Sequence, residues 1–293
     1  MWWFLAVVTL LPVIGWGLIS TQRILFPERF VPNPLSPQPV YTVQQLTAYD
    51  GTPFDVWIFG GESPRARLLL LHGYSANRLQ VLDVASDLST WGYEVLLFEL
   101  RGHGNRPGPC TLGVKEAQDA KMVLDWVWRR DGSRHLPVGV IGWSMGGAIA
   151  CQVAAQYPQV KAVVVDSVYS RLFPVLSRSI WFRYHLPAIP WTWVTWWCLQ
   201  LVLRTRLARR DPVVLAPSLR QPLLAIQGGE DQRVAPVFGE EFYQRWAGPK
   251  ERWFEPKVAH VRMYAAHPQH YCERVAHFFE RTLAQSTEEM LGN

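Results

Sequence analysis

Residues 138–147 read VGVIGWSMGG, an apolar run that leads directly into a serine placed between glycines. The run Val138–Ile141 predicts a buried strand, and the alanine-rich stretch Met145–Gln156 predicts a helix after it. A serine on such a turn is held in strained backbone geometry, and its hydroxyl projects above the sheet. A Gly-x-Ser-x-Gly motif alone is weak evidence and fits an incidental serine in a glycine-rich turn, but this strand-to-helix context makes Ser144 a candidate nucleophile.

The alternation of strand and helix continues on both sides of this turn. Further short apolar runs predict strands at Thr42–Ala48, Phe54–Phe59, Arg67–Leu71, Glu94–Phe98, Val160–Val165, Leu223–Gln227 and Arg252–Glu255. The first two, joined by a turn at Asp50 and Gly51, have the pattern of an antiparallel hairpin at a sheet edge. Because the other runs alternate with helix-length segments such as Val114–Arg129, we expect an α/β sandwich with a mostly parallel sheet.

The composition is that of a globular protein and excludes several classes. Of 293 residues, 49% are hydrophobic and 18% are charged, which is too apolar for a disordered chain. The four cysteines are far apart and form no Cys-x-x-Cys pair, so neither a zinc ribbon nor a disulfide framework is indicated. The net charge of +5 favours anionic partners, but no lysine-rich run is present, and we expect no nucleic-acid partner.

The N-terminal segment differs from the rest of the chain. Residues 1–20 carry no charged side chain, and as a helix they would extend about 30 Å, the thickness of the hydrocarbon core of a bilayer. Tryptophans near both ends favour the membrane interface. We therefore expect residues 1–22 to be an uncleaved membrane anchor. A cleaved signal peptide lacks its basic leading region here, and a buried helix is the third alternative.

The residues after this segment predict its topology. Arg23 and Arg29 follow the apolar run and no basic side chain precedes it, so the positive-inside rule places the main domain in the cytoplasm. Residues 23–40 are rich in proline, as is typical of an extended linker. The predicted organisation is an anchor, this linker and one domain over residues 41–293, in a single-pass membrane protein.

The partners of a nucleophilic serine can be sought by chain order. The serine needs a histidine to take its proton, and the histidine needs an orienting carboxylate. On a sheet of this kind the order should be serine, acid, histidine. Asp231 follows the strand Leu223–Gln227, and His260 follows the strand Arg252–Glu255. Both lie at carboxyl ends of strands, so we expect a Ser144–Asp231–His260 triad.

Other polar residues compete for these roles. Asp166 ends the strand Val160–Val165 and is an alternative acid. Glu230 adjoins Asp231, but because it lies one residue earlier its side chain would point in another direction. His103 is expected to shape the floor of the site. A cluster of three residues, His267, His270 and Cys272, could suggest a metal site. These residues lie on one side of the predicted last helix, so we expect no metal there.

Attack on a carbonyl also requires donors for the developing oxyanion. One should be the backbone N–H of Met145 at the helix start. The other should come from the loop after the strand Arg67–Leu71, with the N–H of Tyr74 preferred and that of Ser75 as the fallback. Because backbone groups supply these donors, the side-chain types constrain the choice only loosely.

Five motifs resemble those of the α/β-hydrolase family: LLLLHGYSANR (68–78), LFELRGHG (97–104), GWSMGG (142–147), QGGEDQRV (227–234) and AHVRMYAAHPQHY (259–271). The resemblance covers about residues 41–285 and looks closest to membrane-anchored esterase-like members. It implies an eight-stranded sheet, the triad named above and hydrolysis through an acyl-enzyme, with no cofactor. Asn105 departs from the pattern, because RGHG-type loops often carry a small residue and then serine there.

The strand–helix rhythm lapses over residues 171–220, which predicts a helical lid inserted over the active site. The segment is rich in tryptophan and then in arginine. Two interpretations stay open: an interfacial helix on anionic lipid, or a lid whose tryptophans line an acyl pocket or pack on the core. Either interpretation favours an apolar acyl substrate.

The sequence thus predicts an anchored serine hydrolase that cleaves carboxylic esters or thioesters with an apolar acyl part. Its expected partners are a small acyl ester or lipid-like substrate and a membrane. The N-terminal segment is the expected membrane contact, and the tryptophan-rich lid is a second candidate. An acyltransferase on the same triad is the enzymatic alternative, since nothing in the sequence distinguishes water from another acceptor. A non-catalytic scaffold on the same fold is the alternative from another class.

Overall fold

The computed structural model describes residues 2–31, 40–130 and 136–291. The strands are β1 (Thr42–Thr47), β2 (Pro53–Phe59), β3 (Ala66–Leu71), β4 (Tyr93–Phe98), β5 (Val138–Trp143), β6 (Val160–Asp166), β7 (Leu223–Gly228) and β8 (Lys250–Glu255). The helices are α1 (Trp2–Leu25), α2 (Leu82–Thr90), α3 (Glu116–Arg130), α4 (Met145–Gln156), α5 (Leu172–Tyr184), α6 (Trp193–Leu203), α7 (Pro212–Leu215), α8 (Pro236–Arg245), α9 (Met263–Ala266) and α10 (Pro268–Leu291). Residues 32–39 of the predicted linker lie outside the described residues.

The strands form one eight-stranded sheet in the order β1-β2-β4-β3-β5-β6-β7-β8. β2 pairs antiparallel with both β1 and β4, and every other neighbouring pair is parallel. The predicted mostly parallel sheet and its antiparallel edge hairpin are therefore confirmed. β5, which leads to Ser144, lies in the middle of the sheet, so the residues that follow it emerge near the centre of one sheet edge.

The central strands are buried on both faces. In β3, Leu69 and Leu71 belong to the hydrophobic cluster that includes α3 and α4, whereas Leu68 and Leu70 belong to the cluster that includes α2 and α10. None of these four leucines is more than 1% exposed. Because successive side chains of a strand point to opposite faces, a strand covered on both sides must be apolar throughout, which explains the unbroken LLLL run.

The segment between β6 and β7 holds α5, α6 and α7 and carries the predicted interruption of the strand–helix rhythm. Its apolar side chains are divided between the interior and the surface. Trp196 is 6% exposed and packs edge-on against Phe173, with ring centroids 5.5 Å apart. Trp197 is 63% exposed. The tryptophans of this insertion therefore do not form one uniform surface.

The N-terminal segment does not have the predicted structure of a membrane anchor. Within the part of the chain that the structure describes, no helix is long and apolar enough to cross a membrane. The prediction of a single-pass anchor at residues 1–22 is therefore wrong, and the topology inferred from Arg23 and Arg29 loses its premise. The second half of α1 instead packs on the protein, and its last turns carry the polar side chains of Ser20 and Thr21, which are both buried.

The contact between α1 and α6 is close. A Cβ placed on Gly17 would lie 2.9 Å from a methyl group of Val194 and 3.0 Å from the sulfur of Cys198, so the absence of a side chain at residue 17 lets the two helices approach. One turn further on, the hydroxyls of Ser20 and Thr195 lie 2.7 Å apart in a hydrogen bond. Apolar and polar groups of α1 are thus both matched by partners on the insertion.

Candidate active site

Ser144 occupies a tight turn between β5 and α4. Its φ of 52° and ψ of −112° lie in a region that residues with a side chain rarely adopt. The turn is stabilised by its own backbone, since the N–H of Ser144 donates to the carbonyl oxygen of Asp166 at 2.8 Å. The N–H of Gly147 donates to the carbonyl oxygen of Ser144 at 3.0 Å. This geometry matches the strained turn that the motif predicts.

The glycines around the serine are required by close approach. A Cβ on Gly142 would lie 2.2 Å from the carbonyl oxygen of Gly146, and one on Gly146 would lie 2.1 Å from the carbonyl oxygen of Leu71. Any other residue at either place would collide with backbone atoms, which cannot rotate away. The helix α4 therefore starts directly against the end of β3, next to the loop that carries Tyr74.

The structure brings Ser144, Asp231 and His260 together. His260 Nε2 lies 3.0 Å from Ser144 Oγ, and His260 Nδ1 lies 2.7 Å from Asp231 Oδ2. Asp231 is 3% exposed, and its second oxygen accepts hydrogen bonds from the backbone N–H groups of Arg233 at 2.9 Å and Val234 at 2.7 Å. These bonds orient the carboxylate so that Oδ2 faces the imidazole.

The two competing carboxylates take other positions. Glu230 is exposed, and the described structure gives its carboxylate no hydrogen bond to the histidine. Asp166 is 1% exposed and accepts a hydrogen bond from the hydroxyl of Ser167 at 2.8 Å. Burial raises the pKa of Asp166 to about 7, and the negative charge of Asp231 adds to the effect. It is Asp231, not Asp166, that bonds to His260.

Ser167 has a structural role that the sequence does not predict. Its hydroxyl donates to Asp166 and accepts a hydrogen bond from the backbone N–H of Val261 at 3.1 Å, one residue after His260. Ser167 thereby links the end of β6 to the loop that holds the histidine. A single serine after a strand gives no sequence signal for such a role, because its partner is a backbone group far along the chain.

The oxyanion candidates differ in whether their N–H groups are occupied. The N–H of Gly73 donates to Gln80 Oε1 at 2.7 Å, and that of Ser75 donates to His103 Nε2 at 3.0 Å. The N–H groups of Tyr74 and Met145 have no acceptor among the described residues. The N–H of Ser75, the fallback donor, is therefore already bonded to His103. The N–H groups of the preferred donors, Tyr74 and Met145, make no such bond to the described residues.

The loop of Tyr74 also lies beside the serine. A Cβ on Gly73 would lie 3.6 Å from the Cβ of Ser144. Met145 directly follows Ser144 and Tyr74 directly follows Gly73, so both N–H groups that lack an acceptor among the described residues belong to residues close to Ser144. This is the position from which a pair of donors could stabilise a negative charge that develops on a bound carbonyl oxygen.

His103 supports this loop from within the protein. Because the Ser75 N–H is a donor, His103 Nε2 must be the acceptor, and Nδ1 then carries the hydrogen that donates to the carbonyl oxygen of Arg101 at 2.8 Å. Burial lowers the pKa of His103 to about 4. The imidazole is therefore neutral at pH 7, in the single tautomer that these two partners require.

The side chains of the cluster His267, His270 and Cys272 have different partners. His267 Nε2 lies 4.0 Å from Glu255, the ring of His270 packs on Trp253, and Cys272 Sγ contacts Asp87 at 3.5 Å. Across residues 2–31, 40–130 and 136–291, no group of histidine, cysteine, aspartate and glutamate has the arrangement of a metal site. The three residues instead pack around the start of α10.

Comparison with known proteins gives a consistent result. A family model described as the alpha/beta hydrolase fold matches residues 66–196. An uncharacterized protein of Mycobacterium tuberculosis is 29% identical and aligns over 84% of this chain and 84% of its own length. A pimeloyl-[acyl-carrier protein] methyl ester esterase of Neisseria meningitidis is 30% identical, over 36% of this chain and 38% of the esterase.

Solved structures show the same similarity over nearly the whole chain. The structure of the Pyrococcus furiosus esterase Pf2001 superposes with a TM-score of 0.72 and 26% sequence identity. The superposition covers 88% of this chain and 99% of the esterase.

Proposed function

We propose that this chain, which has the α/β-hydrolase fold and is esterase-like, is a serine hydrolase that cleaves carboxylic esters or thioesters with an apolar acyl part. One observation carries the proposal: a single imidazole bonds to a buried carboxylate through Nδ1 and to the hydroxyl of Ser144 through Nε2. This is the arrangement that turns a weakly nucleophilic hydroxyl into an effective nucleophile.

In the acylation half, Ser144 Oγ attacks the carbonyl carbon of the ester while His260 Nε2 takes its proton. Asp231 stabilises the imidazolium that forms, since its carboxylate bonds to Nδ1 at 2.7 Å. The N–H groups of Tyr74 and Met145 donate to the oxyanion of the tetrahedral intermediate. The intermediate then collapses, and the alcohol or thiol leaves with the proton from His260, which leaves the acyl group on the serine.

In the deacylation half, water takes the place of the departed alcohol. His260 removes a proton from this water as its oxygen attacks the acyl carbonyl carbon, and the same two N–H groups stabilise the second oxyanion. Collapse of that intermediate breaks the bond to Ser144 Oγ, which recovers its proton from His260. The products are a carboxylic acid and the free enzyme. Every proton transfer uses a group already described, and we propose no cofactor.

The preference for an apolar acyl part rests on the surroundings of Met145. This side chain belongs to the hydrophobic cluster that continues into the insertion, where it includes Leu176, Ile180 and Trp196. We therefore propose that residues 171–220 form a lid whose apolar side chains are continuous with the cluster that contains Met145. The names of the relatives support the substrate class, because a methyl ester esterase and a lipase of Moraxella are among them.

The test is covalent labelling of the serine. A fluorophosphonate probe should label the wild-type protein and fail to label Ser144→Ala, because the probe reacts only with an activated serine hydroxyl. Hydrolysis of a short p-nitrophenyl ester, measured in parallel, should be lost in the same variant. Equal labelling of both proteins would exclude Ser144 as the nucleophile, and labelling without turnover would favour an acyl acceptor other than water.

A further inference from the structure

The end of the N-terminal helix lies against the loop that carries the oxyanion candidate. The last four carbonyl groups of a helix have no partner within the helix. In α1, the carbonyl oxygen of Ile24 accepts a hydrogen bond from the hydroxyl of Tyr74 at 2.9 Å. The carbonyl oxygen of Leu25 accepts one from the N–H of Cys110 at 2.7 Å. The protein core therefore supplies the partners that this helix end requires.

A third contact follows a few residues later. The carbonyl oxygen of Phe30 accepts a hydrogen bond from Asn77 Nδ2 at 2.9 Å. The carboxamide oxygen of the same Asn77 accepts from the N–H of Leu79 at 2.9 Å, at the start of the short helical turn Arg78–Val81. Residues 24–30 thus run along the outer side of residues 74–77 and bond to both ends of that stretch.

Tyr74 carries two separate functions in one residue. Its backbone N–H has no acceptor among the described residues, and its side-chain hydroxyl donates to the carbonyl oxygen of Ile24. The ring packs edge-on against His103 with centroids 5.6 Å apart. Burial raises the pKa of the phenol above its usual value, so the hydroxyl stays protonated and remains a donor.

The carbonyl of Ile24 is itself held in place. Trp16 of α1 packs edge-on against both Tyr184 and Trp191, with ring centroids 4.9 Å and 5.8 Å away. Ser20 bonds to Thr195, and the guanidinium of Arg23 donates to the hydroxyl of Tyr184 at 2.9 Å. Because these contacts join α1 to the insertion, the acceptor that Tyr74 uses has a defined position.

We propose that the side chain of Tyr74 is a positioning group: its hydrogen bond to the carbonyl of Ile24 holds the N–H of the same residue in the oxyanion hole. Three successive residues of this loop are then each held by a different partner, namely Gly73 by Gln80, Tyr74 by Ile24 and Ser75 by His103. The N-terminal helix becomes a part of the active site. This inference rests on the proposed function, since it assigns Tyr74 to the oxyanion.

The experiment compares two conservative substitutions. Tyr74→Phe removes the hydroxyl that bonds to Ile24 and leaves the backbone N–H intact. Tyr243→Phe is the matched control, because it removes a half-buried hydroxyl on α8 that also donates to a backbone carbonyl oxygen, that of Lys250 at 3.3 Å. Measured for each are kcat and KM for a p-nitrophenyl ester, the affinity for a trifluoromethyl ketone whose adduct with the serine carries an oxyanion, and the thermal midpoint.

For Tyr74→Phe we expect kcat to fall about tenfold, which is less than the 10²–10³-fold loss that follows complete removal of an oxyanion donor. The affinity for the trifluoromethyl ketone should fall in proportion, while KM stays within about twofold, because the oxyanion exists only after attack. Tyr243→Phe should leave kcat and the ketone affinity close to wild type. A purely structural role of the hydroxyl would lower the thermal midpoint without this selective loss of ketone affinity.

If Tyr74→Phe has the same kcat and the same ketone affinity as the wild type, the inference is wrong. The proposed function would still stand in that case, provided that the fluorophosphonate labels Ser144. Absence of labelling in the wild type would overturn both. Asn77→Asp provides a second variant if Tyr74→Phe does not fold, because the carboxylate keeps the acceptor for Leu79 and loses the donor to Phe30. It should also lower kcat, and an unchanged kcat would contradict a role for the N-terminal segment.

Discussion

The backbone N–H of Ser75 donates to Nε2 of His103 at 3.0 Å, so the loop beside Ser144 depends on a histidine that accepts rather than donates. Protonation of Nε2 would place two donors against each other. Burial lowers the pKa of His103 to about 4 from its usual 6.5, and this keeps the acceptor available at neutral pH. The same shift makes the stability of the fold dependent on pH.

The sign of this dependence follows from proton binding. Below pH 6.5 the histidine of the unfolded chain takes up a proton that the folded protein does not bind until about pH 4. Unfolding is therefore favoured progressively as the pH falls through this window, by up to about 3 kcal/mol. His103→Gln can present a carbonyl oxygen to the N–H of Ser75 and does not titrate. Its free energy of unfolding should therefore fall less than that of the wild type as the pH is lowered. Urea unfolding at pH 7 and pH 4.5 measures this change for the wild type and for the variant. An equal decrease in the two proteins would contradict the role given to His103.

The proposed role of Asp231 as the acid of a triad can be tested by comparison with the adjacent residue, Glu230. Asp231→Asn leaves the shape of the side chain but removes the charge opposite His260, and we expect kcat to fall by about 10⁴-fold. Glu230→Gln makes the same chemical change one residue earlier on an exposed side chain and should leave kcat near the wild-type value. Rates with a p-nitrophenyl ester distinguish the two. Comparable losses would argue against Asp231 as the specific partner.

Ser167 should matter for both stability and catalysis. Ser167→Ala removes the acceptor of the Val261 N–H and the donor to the buried carboxylate of Asp166, and leaving a buried polar group unpaired costs about 1–3 kcal/mol. The histidine loop should also loosen, so kcat should fall more than KM rises. Ser179→Ala, on an exposed turn of α5, is the matched control and should change the free energy of unfolding by less than about 0.5 kcal/mol. Identical stability of the two variants would refute this account.

The turn after β5 makes a strict demand on Gly146. Gly146→Ala would place a Cβ 2.1 Å from the carbonyl oxygen of Leu71, and overpacking of this kind costs about 1–3 kcal/mol or more. Gly15→Ala introduces the same methyl group in α1 with no atom within 4 Å, and should stabilise its helix by about 0.5–1 kcal/mol. Thermal denaturation of both variants gives the comparison, and tolerance of Gly146→Ala would contradict the close approach of α4 to β3.

The strand-to-helix turn at Ser144 could be predicted because its causes are local. The apolar run before it, the small residues around it and the alanine-rich stretch after it each favour the observed element, and α4 has the predicted bounds Met145–Gln156. Asp231 and His260 were predicted from chain order, since parallel strands deliver their following loops to one edge of the sheet. Their distances to one another and to Ser144 required the three-dimensional structure.

The environment of the N-terminal helix could not be predicted from local sequence patterns. A run of apolar side chains indicates that a helix avoids water, but hydropathy does not distinguish a lipid environment from a protein surface. For α1 the deciding contact is with α6, and the Ser20–Thr195 hydrogen bond joins residues 175 positions apart. The sequence pattern was compatible with an anchor, whereas the packing of Gly17 against Val194 and Cys198 could be seen only once the helices were assembled.

By itself the sequence determined the α/β architecture, the edge hairpin and the candidate nucleophile, because periodicity, glycine spacing and turn chemistry are properties of neighbouring residues. Only the tertiary structure decided what covers the N-terminal helix, which N–H groups near Ser144 lack an acceptor in the described part of the chain and how Tyr74 is held by Ile24. The cover of the helix depends on side-chain contacts between residues far apart in the chain, such as Ser20 and Thr195. The other two outcomes depend on backbone donors and acceptors, which nearly every residue carries alike, so the sequence pattern does not predict them.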